Sequence, residues 1–382
     1  MVQFTDIIAQ NDDFCRRASR EKRITQKIWV AAVVFCQSGI MFSNMEDFIA
    51  KRKRRIDWEL LRGQAAELQE PCRLCVRRCG ARRQSGEAGF CGVRKPLVSK
   101  SFITYGEEPQ LNPAYMLYFA GCNLRCAYCS NREFLEPEPP GCREPDAARI
   151  AAEADEAYRT DRIRVLQMLG GEPACSLAAA VETVCRLESG VPVVWNSDFL
   201  FTEEAFRVID AFADFYVADY KFFSPDCSFR LAGLRGYAEA VEANLLRVDP
   251  ARLIIRQLPV HGHLRCCTVP ILEWIARYLP QVPVTLNDLL PDAAGRCLPL
   301  DAEERQLVEE TVERLRLKRL FPVWNRKIPG GAAGMFSGEL IVRPDGSVAV
   351  QDLAGPVREL LEKLELELRE DCRYGDAGGQ LR

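Results

Sequence analysis

The 382-residue chain is 48% hydrophobic, enough for one large core and a small appendage. Its formal net charge of -3 provides no strong basic field, which argues against nucleic acid as a partner. Seventeen cysteines, odd in number, unevenly clustered and not preceded by a signal-peptide pattern, argue against a disulfide framework and for the cytosol. Only two histidines occur, His261 and His263, so acid–base chemistry built on scattered histidines has little support.

Residues 1–45 differ in character from the rest. Their apolar run at 29–36 is too short to span a bilayer and lies too far in for a signal peptide. We expect a poorly ordered extension or a start assigned upstream of Met41 or Met45, and no membrane anchor. Residues 46–110 form a second unit, a helix over 46–68 followed by a cysteine-rich segment. The basic run at 51–55 reads as a solvated helix face. Cys72, Cys75, Cys79 and Cys91 then follow at Cys-x2-Cys-x3-Cys-x11-Cys, with glycines at 80, 86, 89 and 92 for tight turns. Four thiolates suit zinc or an iron–sulfur centre, and the spacing does not separate the two. Four merely packed cysteines would need apolar surroundings that this Arg-rich, Gly-rich segment lacks.

Residues 111–300 alternate apolar runs with amphipathic segments. Strands are predicted at 115–121, 165–170, 191–196, 215–220, 253–258 and 282–287. Helices are predicted at 145–158, 176–187, 202–212, 237–248 and 269–278. This alternation predicts a parallel sheet, and six units suit an open or partial barrel. Functional groups are then expected at the carboxyl ends of the strands. The first strand runs into Cys122-x3-Cys126-x2-Cys129. Three closely spaced thiolates can hold an iron–sulfur cubane and leave one iron for a small ligand. Later strands end in Gly170-Gly171-Glu172-Pro173, Asn196-Ser197-Asp198, Asp219-Tyr220-Lys221, Arg256-Gln257 and Asn287-Asp288. The glycines and Glu172 suit an amine, Lys221 or Arg256 a carboxylate, and Tyr128 an aromatic base.

Residues 301–382 are expected to form a helix, a hairpin over 338–352 about a Pro-Asp-Gly turn, and a helix over 356–369 with leucines on one side. Ten cysteines fall outside the two groups, at 15, 36, 142, 175, 185, 227, 266, 267, 297 and 372. Most read as core residues. Cys266 and Cys267, just beyond His261-Gly262-His263, stand out as a hydrogen donor, an auxiliary ligand, a substrate contact or ordinary packing.

Together, the three-cysteine loop with Tyr128 and the Gly170–Pro173 motif resemble the radical S-adenosylmethionine (radical SAM) enzymes. The resemblance implies an α/β fold with a partial (β/α)6 TIM-type barrel. It implies a [4Fe-4S] cluster on Cys122, Cys126 and Cys129, and S-adenosylmethionine on its open iron. Reductive cleavage of that ligand would yield a 5′-deoxyadenosyl radical that abstracts hydrogen. Gly170, Gly171 and Glu172 would hold the amine of S-adenosylmethionine. The loop Cys-Asn-Leu-Arg-Cys-x-Tyr-Cys-x-Asn and the Asp219-x-Lys221 element are similar to pyruvate formate-lyase activating enzymes. In those enzymes matching residues position S-adenosylmethionine, as does a later arginine, here Arg256; Asn196 joins the same cofactor set. The Cys72–Cys91 segment looks like the activase-like branch of that group. The resemblance implies a low-potential electron donor of flavodoxin or ferredoxin type and allows a protein substrate. Two other readings stay open: radical modification of a small molecule, peptide or cofactor, and a non-catalytic zinc or iron–sulfur module that senses redox state or binds nucleic acid.

Overall fold

The computed structural model describes residues 55–104, 108, 111–136, 139–287, 298–325, 340–342 and 348–350. Residues 1–45, the basic run before Arg55 and the helix expected at 356–369 lie outside them. One eight-stranded sheet dominates, in the order β1-β2-β3-β4-β5-β6-β7-β8. Its strands are β1 (Val98–Thr104), β2 (Ala114–Phe119), β3 (Val165–Gly170), β4 (Val193–Ser197), β5 (Phe215–Asp219), β6 (Leu253–Gln257), β7 (Val284–Asn287) and β8 (Arg319–Asn325). β1 runs antiparallel to β2, and every later neighbour is parallel. Two further strands, β9 (Leu340–Val342) and β10 (Val348–Val350), pair antiparallel where the hairpin is expected.

Helices return the chain between strands. They are α1 (Trp58–Glu67), α2 (Ala147–Arg159), α3 (Leu177–Val184), α4 (Glu203–Phe212), α5 (Pro225–Ala232), α6 (Tyr237–Leu245), α7 (Val269–Tyr278) and α8 (Ala302–Leu315). Local chemistry sets their starts. Asp146 accepts from the Arg149 N–H at the head of α2, Thr202 caps α4, Ser224 caps α5, and Asp301 with Glu304 forms a capping box on α8. On α2, Ile150, Ala151, Ala154 and Ala157 make the buried stripe.

All six expected parallel strands are present, so the α/β, partial-barrel expectation holds. The sheet exceeds it at both edges. β8 is a seventh parallel strand, and the barrel therefore continues past residue 300 through α8. Pro322 sits inside β8, and a proline within an apolar run argues against a strand unless it lies at an edge or bulge. Here the β7–β8 register shifts between Val284 and Leu286, and β8 is the last strand of the sheet.

Alternation along the strands divides the core. One set, including Leu117, Phe119, Leu166, Met168, Trp195, Tyr216 and Ile255, packs in the main cluster together with residues of the helices. The other set, including Met116, Tyr118, Val165, Val194, Val217 and Ile254, forms a second cluster on the opposite, inner face.

Candidate active site

The cysteine loop leaves β2 at its carboxyl end. Its shape is fixed largely by arginines that satisfy loop carbonyls. Arg125 donates to the Cys122 carbonyl at 2.7 Å, to Leu124 at 2.9 Å and to Phe90 at 2.6 Å. Arg77 reaches the Asn123 carbonyl at 2.5 Å, and Arg132 the Ala127 carbonyl at 2.9 Å. The Arg125 and Ala127 N–H groups donate to the Ala232 and Leu231 carbonyls at the end of α5. Cys126 is buried, while Cys122 and Cys129 are half-buried. Burial pushes all three thiols up, Cys126 to about 12 despite the opposing charge of Lys221. Iron binding would offset that burial cost, because a coordinated thiol is deprotonated outright.

Gly170 and Gly171 are required by contact between backbones. Gly170 has φ +131°, and a Cβ on it would stand 2.2 Å from the Phe119 carbonyl oxygen. A Cβ on Gly171 would stand 2.0 Å from the Gly121 oxygen, inside the cysteine loop. The seam is closed by Gly171 N–H to Phe119 O and Glu172 N–H to Gly121 O, both 2.9 Å. The Glu172 side chain is fully buried and already committed. It accepts from Ala174 N–H at 2.9 Å, the Ser197 hydroxyl at 2.8 Å and Asp198 N–H at 2.9 Å. Burial, then the adjacent Asp198 carboxylate, raises its proton affinity well above the usual range. This carboxylate therefore ties β3 to β4, and the acceptors an incoming amine would need are then backbone carbonyls of Gly170 and Gly171, since the Glu172 carbonyl already accepts from Cys175 N–H.

Strand parity brings a set of polar side chains to the inner face. Asp219 on β5 is in register with Arg256 on β6, and Arg256 with Thr285 on β7. Asn287 lies two residues further on, and Asn196 on β4 registers with Val217 of the inner cluster. By its place at a strand end, Arg256 suits a carboxylate ligand. In the structure Glu108, 2% exposed, takes that guanidinium in two-pronged fashion at 2.8 to 3.0 Å. Asp219 pairs with Arg256 at 3.4 Å and with Lys221 on its other oxygen. Burial works against the Lys221 ammonium, but Asp219 and Cys126 outweigh it and hold the lysine charged. The Tyr237 hydroxyl accepts from Lys221 N–H and donates to the Asp219 carbonyl, both at 2.9 Å, and so fixes this turn. Tyr128 packs against Phe222, with ring centroids 6.0 Å apart.

The donors present fit a cluster and a polar ligand. Among the described residues, Tyr128 Oη, Thr285 Oγ1 and Asn287 Oδ1 are buried without a hydrogen-bond partner, and Asp219 Oδ1 has only its ion pair. Buried polar atoms are normally satisfied, so such a set at one end of the sheet is a cradle awaiting partners. Thr285 and Tyr237 escaped sequence reasoning, although strand parity could have found Thr285. Glu108 gave no signal, since it lies in a connection between strands.

In the amino-terminal unit Cys72, Cys75 and Cys91 are buried and Cys79 is exposed. Arg83, also buried, donates to Cys91 Sγ at 3.2 Å and to the Cys175 carbonyl at 2.5 Å. A hydrogen bond with Cys175 and the Arg83 charge bring the Cys91 thiol down to about 6, against the effect of burial. The described groups of three or more ligand atoms within 4.8 Å of one another include none of these four cysteines. Four thiolates around one zinc would stand about 3.8 Å apart, given Zn–S bonds near 2.3 Å. The unit docks directly on the site: Cys122 N–H donates to the Cys91 carbonyl, and Val76 N–H to that of Leu200.

Residues 116–243 match the family model described as Radical SAM superfamily. Uncharacterized protein MJ0674 of Methanocaldococcus jannaschii is 29% identical over 259 residues, which is 66% of this chain and 75% of that protein. Streptococcus suis SuiB, solved with bound S-adenosylmethionine, aligns at 13% identity and a TM-score of 0.37. That alignment covers 50% of this chain and 45% of SuiB, so the chain spans less than half of its length. A spore photoproduct lyase with bound AdoMet and dinucleoside spore photoproduct aligns over 65% of this chain and 71% of its own, at 12% identity and a TM-score of 0.33.

Proposed function

Taking residues 116–243 as a radical SAM domain, we propose that this chain is an enzyme that cleaves S-adenosylmethionine reductively, in the manner of the activase-like branch. The cluster and S-adenosylmethionine, when bound, supply the electron and the carbon radical that abstracts hydrogen. Cys122, Cys126 and Cys129 hold the cluster. Backbone carbonyls of Gly170 and Gly171 receive the amine, and the inner polar groups Asn196, Asp219, Lys221 and Thr285 orient the rest of the ligand. Arg256 acts through Asp219, because Glu108 occupies its guanidinium. Tyr128 and Phe222 wall the site against water. The observation that carries the reading is the three-thiol loop packed, through Gly171, against the glycine motif. Cys72, Cys75, Cys79 and Cys91 offer a second set of four thiolates for zinc or an iron–sulfur centre.

The loop sequence and Asp219-x-Lys221 support a target of activase type, a protein segment that receives the radical site. An electron donor of flavodoxin or ferredoxin type completes the reaction. The test uses anaerobically purified, iron-reconstituted protein with dithionite and S-adenosylmethionine. The expected product is 5′-deoxyadenosine, and Cys126→Ser abolishes it. A reconstituted sample with full iron content and no such product would sink the proposal. Capture of a partner bearing a glycyl-radical loop would support the activase role, whereas turnover on a small molecule alone would exclude it.

A further inference from the structure

A second group of metal-type ligands lies outside the cluster loop. Cys227 on α5, together with His263 and Cys266 beyond β6, has its ligand atoms mutually within 4.8 Å. The Cys227 Sγ stands 3.3 Å from His263 Nδ1 and 3.5 Å from Cys266 Sγ. The Cys266 Sγ stands 3.6 Å from His263 Nδ1. Zinc–sulfur bonds near 2.3 Å and zinc–nitrogen bonds near 2.0 Å at tetrahedral angles require S–S edges of about 3.8 Å and S–N edges of about 3.6 Å. All three observed edges lie within about 0.3 Å of those values, so the atoms outline one face of a coordination tetrahedron.

We propose that Cys227, His263 and Cys266 form a mononuclear site for a zinc-class divalent ion, separate from the radical chemistry. Two thiolates and an imidazole suit such an ion over magnesium or calcium, which prefer oxygen. Binding exchanges the two thiol protons for the metal and releases them to solvent, with no change of oxidation state. These residues provide three donors and Cys266 is exposed, so water or a ligand heteroatom completes the shell. The ion would bind the segment after β5 to the segment after β6. The Leu231 and Ala232 carbonyls at the far end of α5 accept from the cysteine loop, so the ion would also steady the helix that supports that loop. The neighbouring group His261, Asp301 and Glu304 needs no ion, because Glu304 serves the α8 capping box and hydrogen-bonds His261.

The test is thiol alkylation of reduced, iron-reconstituted full-length protein, resolved by peptide mass. One equivalent of zinc should slow iodoacetamide labelling of exposed Cys266 by about tenfold or more, since only an unbound thiolate is a free nucleophile. Magnesium should not. His263→Gln should remove that protection and the matching equivalent of bound zinc, while Cys79→Ser should keep both. Cobalt in place of zinc should give a thiolate charge-transfer band that His263→Gln loses. Unchanged labelling with zinc would overturn the proposal. So would recovery of a Cys227–Cys266 disulfide, with no bound metal, from protein kept under reductant.

Discussion

Glu172 bears on the site through its proton. Its carboxyl is enclosed and faces Asp198, so the folded state keeps it protonated above the ordinary glutamate value of 4.5. A raised folded value stabilises fully below 4.5 and loses that contribution as pH rises through the folded value. Glu172→Gln removes the titration while keeping most of the shape. The stability of the wild type relative to Glu172→Gln should therefore decline with rising pH above 4.5, by up to about 1.4 kcal/mol per pH unit within the window. Urea unfolding of both proteins between about pH 5 and pH 7 reads this difference, and parallel profiles would show that the carboxyl does not titrate there.

Among elements, the carboxyl ends of β5 and β6 hold a buried network of ion pairs. Arg256, with its side chain 8% exposed, is gripped by Glu108, whose side chain is 1% exposed. Removing one partner of such a pair leaves a buried charge and costs about 3–5 kcal/mol. Glu108→Gln and Arg256→Met should each unfold at markedly lower urea, and the double variant should lose less than the sum of the two. Strict additivity in that cycle would show that the pair is not coupled. This network also marks the limit of what the sequence could reveal. β2 to β7 were legible because each is an apolar run buried on both faces. β8 was not, because Pro322 resembles a strand breaker until its edge position is known. Asp219 and Arg256 were legible as strand-end polar residues, but Glu108, the partner that takes the guanidinium, comes from a connection with no periodicity. Glu172 likewise carried the right motif, while its use as a tie between β3 and β4 depends on Ser197 and Asp198 reaching it in space.

For the whole molecule, cofactor binding should be folding energy. The amino-terminal unit rests on the barrel through the Cys122–Cys91 and Val76–Leu200 backbone contacts, and Thr202 both caps α4 and donates to the Arg73 carbonyl at 2.8 Å. A ligand that braces the cysteine loop against the glycine seam should thus stabilise the unit and the barrel together. A ligand bound only by the folded state at 100 times its dissociation constant adds about 2.7 kcal/mol. For a chain of 382 residues, at an unfolding entropy of about 2.1 cal/mol/K per residue, that corresponds to a rise of roughly 3–4 °C in Tm. S-adenosylmethionine should give this rise in the iron-reconstituted wild type and none in Cys126→Ser, because under the proposed function a cluster iron would be part of the binding site. The same shift in both proteins would mean that the ligand binds without the cluster, and the polar groups of the inner face would then have to account for its affinity alone.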